Sequence, residues 1–156
     1  MTYRVGIGVD AHALADGVPL VLGGVVLDHP RGLAGHSDGD VLAHALIDAI
    51  LGAAGLGDIG SLFPSGDERF AGAASVELLR RAYAAVREAG WSLVNADCVL
   101  VGEEPRIVEH RDTMRRRLSE ALGGGEVNVR ATTTDHLGFT GRGEGLAAQA
   151  VALLSR

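Results

Sequence analysis

Lysine is absent from this 156-residue chain, and cysteine occurs once, as Cys98. Without lysine there is neither a Walker-type phosphate lysine nor a Schiff-base lysine, so any phosphate must meet arginine, backbone N–H groups, hydroxyls or metal. A single thiol forms no internal disulfide and no multi-thiolate metal site, which makes a reducing, cytoplasmic setting the expectation. Aromatic residues make up 4% of the chain, and the longest apolar stretch, Val41 to Gly57, is interrupted by His44 and Asp48. Neither a membrane span nor a basic-then-apolar secretory signal is expected. Positive charge is also scarce: 14 arginines face 20 acidic residues, giving a net charge of −6. The single dense run, Arg115 to Arg117, is too short for a general nucleic-acid surface. Exclusive use of arginine, with abundant Ala and Gly, also fits a biased genome composition that carries no function.

What remains is 47% hydrophobic and 22% charged, which suits one compact domain over residues 1–156. Tyr3 to His12 alternates in the period-2 manner of a strand, with Asp10 and His12 on one face. Leu20–Leu22 and Val25–Leu27 flank Gly23-Gly24, a hairpin pattern. A helix is expected from Asp40 to about Ala54, with Ser37 at its start in capping-box spacing. Residues 55–74 read as a long functional loop or lid, and 75–89 as a helix ending at Gly90. Trp91 to Val101 and Val127 to Thr134 read as strands. Between them Pro105 is placed to open a helix that stops near Leu122. Leu146 to Leu154, apolar on nearly every side, reads as a buried helix, with packing between subunits one way to bury it. The whole predicts an α/β or α+β layer fold: one sheet of mixed strands with helices on one side.

Two imidazoles and a carboxylate, His12, His44 and Asp10, make a plausible zinc shell with a fourth position open. Equally, Asp10 can be a turn residue, His12 a surface histidine and His44 a hydrogen-bonded helix residue. His36 and Ser37, at an expected helix N-terminus, suit a phosphate, although Ser37 as a plain N-cap explains the same pattern. Thr132, Thr133 and Thr134 running into Asp135 suit a hydrated Mg²⁺ with phosphates, or simply a strand end and turn. Gly55 to Gly60 follows a helix and is no dinucleotide fingerprint. Glu103, Glu104 and Glu109 read as a solvated face.

Taken in order, Asp10-Ala11-His12, His36-Ser37-Asp38-Gly39-Asp40, His44, Gly57-Asp58-Ile59-Gly60, Phe63-Pro64, Ala131-Thr132-Thr133-Thr134 and Gly141-Arg142-Gly143-Glu144-Gly145 resemble the 2-C-methyl-D-erythritol 2,4-cyclodiphosphate synthase family over essentially the whole chain. The resemblance implies a homotrimer with active sites at subunit interfaces. It also implies cyclisation of a cytidine diphosphate-linked sugar alcohol phosphate with release of CMP, a step of the non-mevalonate isoprenoid pathway.

By the same resemblance, Asp10, His12 and His44 match zinc ligands, one ion per subunit. Asp135 matches the ligand of a second divalent cation, Mg²⁺ or Mn²⁺. His36 and Thr133 match positions assigned to transition-state stabilisation, and His36 and Ser37 match those holding the erythritol phosphate. Asp10, Ala11 and His12 match substrate-side positions. Asp58, Ile59 and Gly60 match the sugar-alcohol or ribose side, with Phe63, Pro64, Ser65, Gly66 and Asp67 as the adjoining wall. Gly102, Glu103, Glu104, Pro105, Arg106, Ile107 and Val108, with Thr132 to Asp135, match the nucleotide side. Phe139, Arg142 and Glu144 match residues near a trimer axis where some relatives enclose an isoprenoid diphosphate. Asp135 stands where glutamate is frequent, and Arg106 and Arg130 where lysine is. Two other readings fit the same residues: a zinc phosphohydrolase with water in the open position, and an oligomeric nucleotide- or isoprenoid-binding module.

Overall fold

The computed structural model describes residues 1–156. Strand β1 (Tyr3–Asp16) and strand β7 (Gly145–Ser155) pair antiparallel at the centre of a five-stranded sheet. β4 (Arg31–Leu33) flanks β1, while β5 (Ser92–Val101) runs antiparallel to β7 and parallel to β6 (Glu126–Thr132). The order is β4-β1-β7-β5-β6, a mixed sheet. β2 (Leu20–Leu22) and β3 (Val25–Leu27) form a separate two-stranded ribbon, so there are two sheets rather than the single one expected. Their turn has both Gly23 and Gly24 at positive φ, as a two-residue hairpin of this hand requires.

Residues 146–154, expected as a helix, lie instead in β7. The segment is apolar at both parities because its even positions pack under helices while Val151, at an odd one, joins an apolar open face. With no polar alternation, and with alanine as a weak strand former, periodicity cannot separate such a strand from a buried helix.

Helices α1 (Val41–Ala54), α3 (Ser75–Glu88) and α4 (Arg111–Ala121) cover one face of the main sheet. α1 lies between the sheet and α3, and only Asp48 and Gly52 of its residues are not buried. Its close approach to β1 depends on two glycines. A Cβ at Gly8 would stand 1.8 Å from the Ala45 carbonyl oxygen, and one at Gly6 2.0 Å from that of Ala49. The opposite face of β1 leaves Tyr3, Val5, Ile7 and Val9 exposed.

Helix α1 is capped by Asp40, not Ser37. The Asp40 carboxylate, fully buried, accepts N–H groups from Ala43, Gly23 and Gly24, which ties the hairpin turn to the helix start. That end of α1 therefore already carries its anion, and a phosphate beside Ser37 does not sit on it. Burial pushes the Asp40 carboxyl up to about 6, against the pull of those backbone donors.

The 55–74 connection contains a short helix α2 (Ile59–Leu62) and a 3-10 turn at Glu68–Phe70. Pro105 lies in the loop before α4, which starts at Arg111 and not at the proline. A further short helix, α5 (Gly138–Gly141), precedes β7. No helix is long and apolar enough to cross a membrane.

Candidate active site

Because side chains alternate along β1, Asp10 and His12 share the helix-facing side, where α1 brings His44 against them. The Asp10 Oδ2 atom lies 2.9 Å from His12 Nδ1 and 3.2 Å from His44 Nδ1. The three donor atoms all fall within 4.8 Å of one another. Ligands around a tetrahedral zinc stand roughly 3.3–3.5 Å apart, given bonds of about 2.0–2.1 Å. Asp10 Oδ2 and His12 Nδ1 are buried, and despite their proximity neither has an aligned hydrogen-bond partner. A nitrogen–nitrogen–oxygen set with orphaned buried atoms fits a zinc ion, with the cleft side open as a fourth position. Burial pushes the Asp10 carboxyl up, but His12 and His44 outweigh it and hold it below its ordinary value. Asp10 in turn raises His12, against the opposing effect of burial.

The outer nitrogen of His44 is held as well. Its Nε2 lies 2.8 Å from Ser75 Oγ and 3.0 Å from Ser37 Oγ, and Ser75 Oγ donates to Asp38 Oδ1. Ser75 is completely buried at the start of α3, and its N–H donates to Asp38 Oδ2 at 3.0 Å. Sequence reasoning missed Ser75, because only folding brings α3 beside the Ser37–Asp40 segment.

Around the three candidate ligands lies a cleft of about 240 Å³, lined also by His36, Ser37, Ile59, Gly60, Phe63 and Ser65, all expected, and by Phe70 and Leu78, which were not. His36 Nε2 donates to the Asp67 carbonyl at 2.8 Å, fixing the ring at the cleft rim. Asp58 caps α2 by accepting from the Ser61 N–H and hydroxyl. Asp67 pairs with Arg69 at 2.7 Å and does not line the cleft. Asp48, noted in the sequence only for interrupting an apolar stretch, accepts from the Ile59 N–H at 2.7 Å and anchors this wall to α1. Pro64 and Gly66 lie outside the lining, and Ala11 is exposed at an odd position of β1.

A second cleft, of about 390 Å³, gathers Gly102, Glu103, Pro105, Arg106, Ile107 and Val108 with Thr132 and Thr133. It shares no lining residue with the first, so within one chain Thr133 and His36 belong to different clefts. Thr134 bonds inward to Leu137 and Thr140. Asp135 and His136 both hold positive φ, 51° and 66°, without being glycine. The chain keeps this turn through Glu103, whose carboxylate accepts from the N–H groups of Thr134 (3.2 Å) and His136 (3.3 Å). Glu103 is thus a largely buried clamp rather than part of a solvated face. Glu104 and Arg142 line a third depression with His136, and Phe139 stays partly exposed beside it.

The model of the YgbB family matches residues 3–155. The chain belongs to the YgbB family. Among YgbB relatives, the 2-C-methyl-D-erythritol 2,4-cyclodiphosphate synthase of Rubrobacter xylanophilus is 60% identical, over 99% of this chain and 96% of that one. A bifunctional IspDF from Campylobacter jejuni superposes with a TM-score of 0.93 at 45% identity, covering 98% of this chain and 42% of that longer one. A 2C-methyl-D-erythritol-2,4-cyclodiphosphate synthase solved in a CDP-bound form gives a TM-score of 0.88 at 38% identity, over 97% of this chain and 100% of that one.

Proposed function

We propose that this chain converts 4-diphosphocytidyl-2-C-methyl-D-erythritol 2-phosphate into 2-C-methyl-D-erythritol 2,4-cyclodiphosphate and CMP, a lyase step of isoprenoid precursor biosynthesis in the cytoplasm. The observation that carries this reading is the convergence of Asp10, His12 and His44 at the cleft of about 240 Å³ in a YgbB-family chain. An oxygen of the 2-phosphate attacks the β-phosphorus, the bond from that phosphorus to the bridging oxygen breaks, and CMP leaves with the electron pair. Zinc held by Asp10, His12 and His44, with Mg²⁺ or Mn²⁺ at Asp135, would neutralise phosphate charge and so lower the repulsion between the reacting groups.

The chain's own residues do the rest. His36, anchored by the Asp67 carbonyl, and the Ser37 hydroxyl hold the erythritol-side phosphate near its target. Ile59, Gly60, Phe63 and Ser65 wall the sugar alcohol, with Asp58 capping α2 and Pro64, Gly66 and Asp67 in the same connection. The Gly102–Val108 cleft takes the cytidine end, where Arg106 supplies charge and backbone groups read the base. Thr133 donates to the developing phosphoryl charge.

A homotrimer completes this site. Two observations support it: the clefts share no lining residue, and Val5, Ile7 and Val9 leave the open sheet face 68%, 66% and 59% exposed, a contiguous apolar surface of the kind that marks a subunit contact. An isoprenoid diphosphate at the trimer axis, near Phe139, Arg142 and Glu144, belongs to the same proposal.

The test is incubation of metal-quantified protein with the substrate, read by phosphorus NMR. Cyclic diphosphate plus CMP is expected. Linear phosphates alone would transfer the site to a zinc phosphohydrolase, and no turnover with retained ligand binding would leave a binding module.

A further inference from the structure

The hydroxyl between His44 and Asp38 has only one proton to give, and its destination fixes the metal site. Ser75 Oγ donates that proton to Asp38 Oδ1, so toward His44 Nε2, 2.8 Å away, it can only accept. His44 must therefore carry its ring proton on Nε2. Ser37 Oγ, 3.0 Å from the same nitrogen, shares this N–H from the cleft side. In the neutral ring the other nitrogen, Nδ1, then keeps a lone pair aimed at Asp10 Oδ2 across 3.2 Å. Two electron-rich atoms at that distance need a cation between them, either a proton or a metal ion. Asp38 is itself held in place, accepting from the N–H groups of Ser75 at 3.0 Å and Asp40 at 3.1 Å.

We propose that Ser75 and Asp38 form a positioning relay that locks His44 in the Nε2–H tautomer, so that its Nδ1 is presented as a metal ligand. This rests on the metal reading given above and deepens it: neither residue touches the ion or substrate, and each acts through His44. Outer-shell partners of ligating histidines set ring orientation and basicity in this way, and their loss costs roughly 10–100-fold in metal affinity. The relay also joins the metal to the start of α3, so the register of that helix against the Ser37–Asp40 segment becomes part of the site.

The experiment is competition of the purified protein with a chelator for Zn²⁺, repeated with Co²⁺ so that the visible d–d band reports the ligand field, on wild type, Ser75→Ala and Asp38→Asn. Ser75→Ala keeps the backbone N–H donor to Asp38 and removes only the hydroxyl. An amide NH₂ of Asp38→Asn facing Ser75 would turn the hydroxyl proton toward His44 and favour the wrong tautomer. Both variants should bind Zn²⁺ roughly tenfold or more weaker, with an altered Co²⁺ band, in protein that still folds without metal, though it melts lower because buried groups lose partners. A packing role alone would move melting and leave affinity and band unchanged. Wild-type affinity and spectrum in either folded variant overturns the relay while leaving the metal centre standing; a wild-type protein that binds neither ion overturns the metal reading and the relay together. If Ser75→Ala does not fold, Asp38→Asn decides.

Discussion

Gly8 is the point at which the sheet lets α1 come close enough for chemistry, and Gly8→Ala tests that directly. The new Cβ would lie 1.8 Å from the Ala45 carbonyl oxygen, whereas ordinary contact begins at 3.4 Å, so strand and helix must part by 3.4 − 1.8 = 1.6 Å along that line. The obstacle is backbone, which has no rotamer to yield. Overpacking of this kind costs about 1–3 kcal/mol, and each kcal/mol lowers the melting temperature of a chain this long by roughly 2–4 °C. The effect on metal is larger than the effect on fold. Ala45 adjoins His44, while Gly8 lies on the same face of β1 as Asp10, so the parting separates ligands that zinc tolerates within about 0.2 Å. Gly8→Ala should therefore fold, melt lower and lose most of its Zn²⁺, measured by thermal unfolding and by metal analysis after dialysis. Wild-type melting with stoichiometric tight zinc would refute the argument that this glycine sets the site's geometry.

Glu103→Ala should free the strained Asp135–His136 turn by removing its two N–H acceptors, at a cost of about 1–3 kcal/mol; zinc content should stay intact while the Mg²⁺ requirement of turnover rises, and an unchanged Mg²⁺ titration would remove the clamp from the site. Cys98 is buried, with its thiol pushed up to about 12 chiefly by burial, so it should react with a disulfide reagent only as fast as the protein unfolds, and prompt labelling of native protein would contradict the fold. For Asp40 the sign is set by a folded value of about 6 against 3.8 in the unfolded chain. The folded form binds the proton more tightly, so its contribution to stability is full below 3.8 and is lost as pH rises through about 6, a swing of about 3 kcal/mol. Its carboxyl carbon resonance should titrate near 6, and a midpoint in the ordinary carboxylate range would refute the assignment.

The parts of the molecule legible in the sequence are those where local pattern and tertiary environment agree. Alternation in β1 paired Asp10 with His12 because one face of that strand meets helices and the other does not. Gly23-Gly24 announced its hairpin because the turn requires positive φ. β7 was misread because both its faces are apolar, which erases the period that distinguishes a strand. Ser37 resembled an N-cap, but the choice between it and Asp40 is made by the hairpin, whose turn N–H groups only a carboxylate at Asp40 can satisfy. Ser75 escaped, as did the hold of Glu103 on the 134–136 turn, because their partners are distant in sequence and meet only after the sheet and helices assemble.

The buried carboxylate that joins the β2–β3 turn to α1 also bears on how the molecule opens. Turn amides at a hairpin tip usually exchange with solvent almost freely. Here the Gly23 and Gly24 N–H groups end on Asp40, and releasing them strands an ionised or protonated carboxyl inside the core. The ribbon cannot fray by itself, since its tip is fastened to the helix that carries His44. Deuterium should therefore enter those two glycines only in the rare events that also unseat α1, making a surface-looking turn one of the slow sites of the protein.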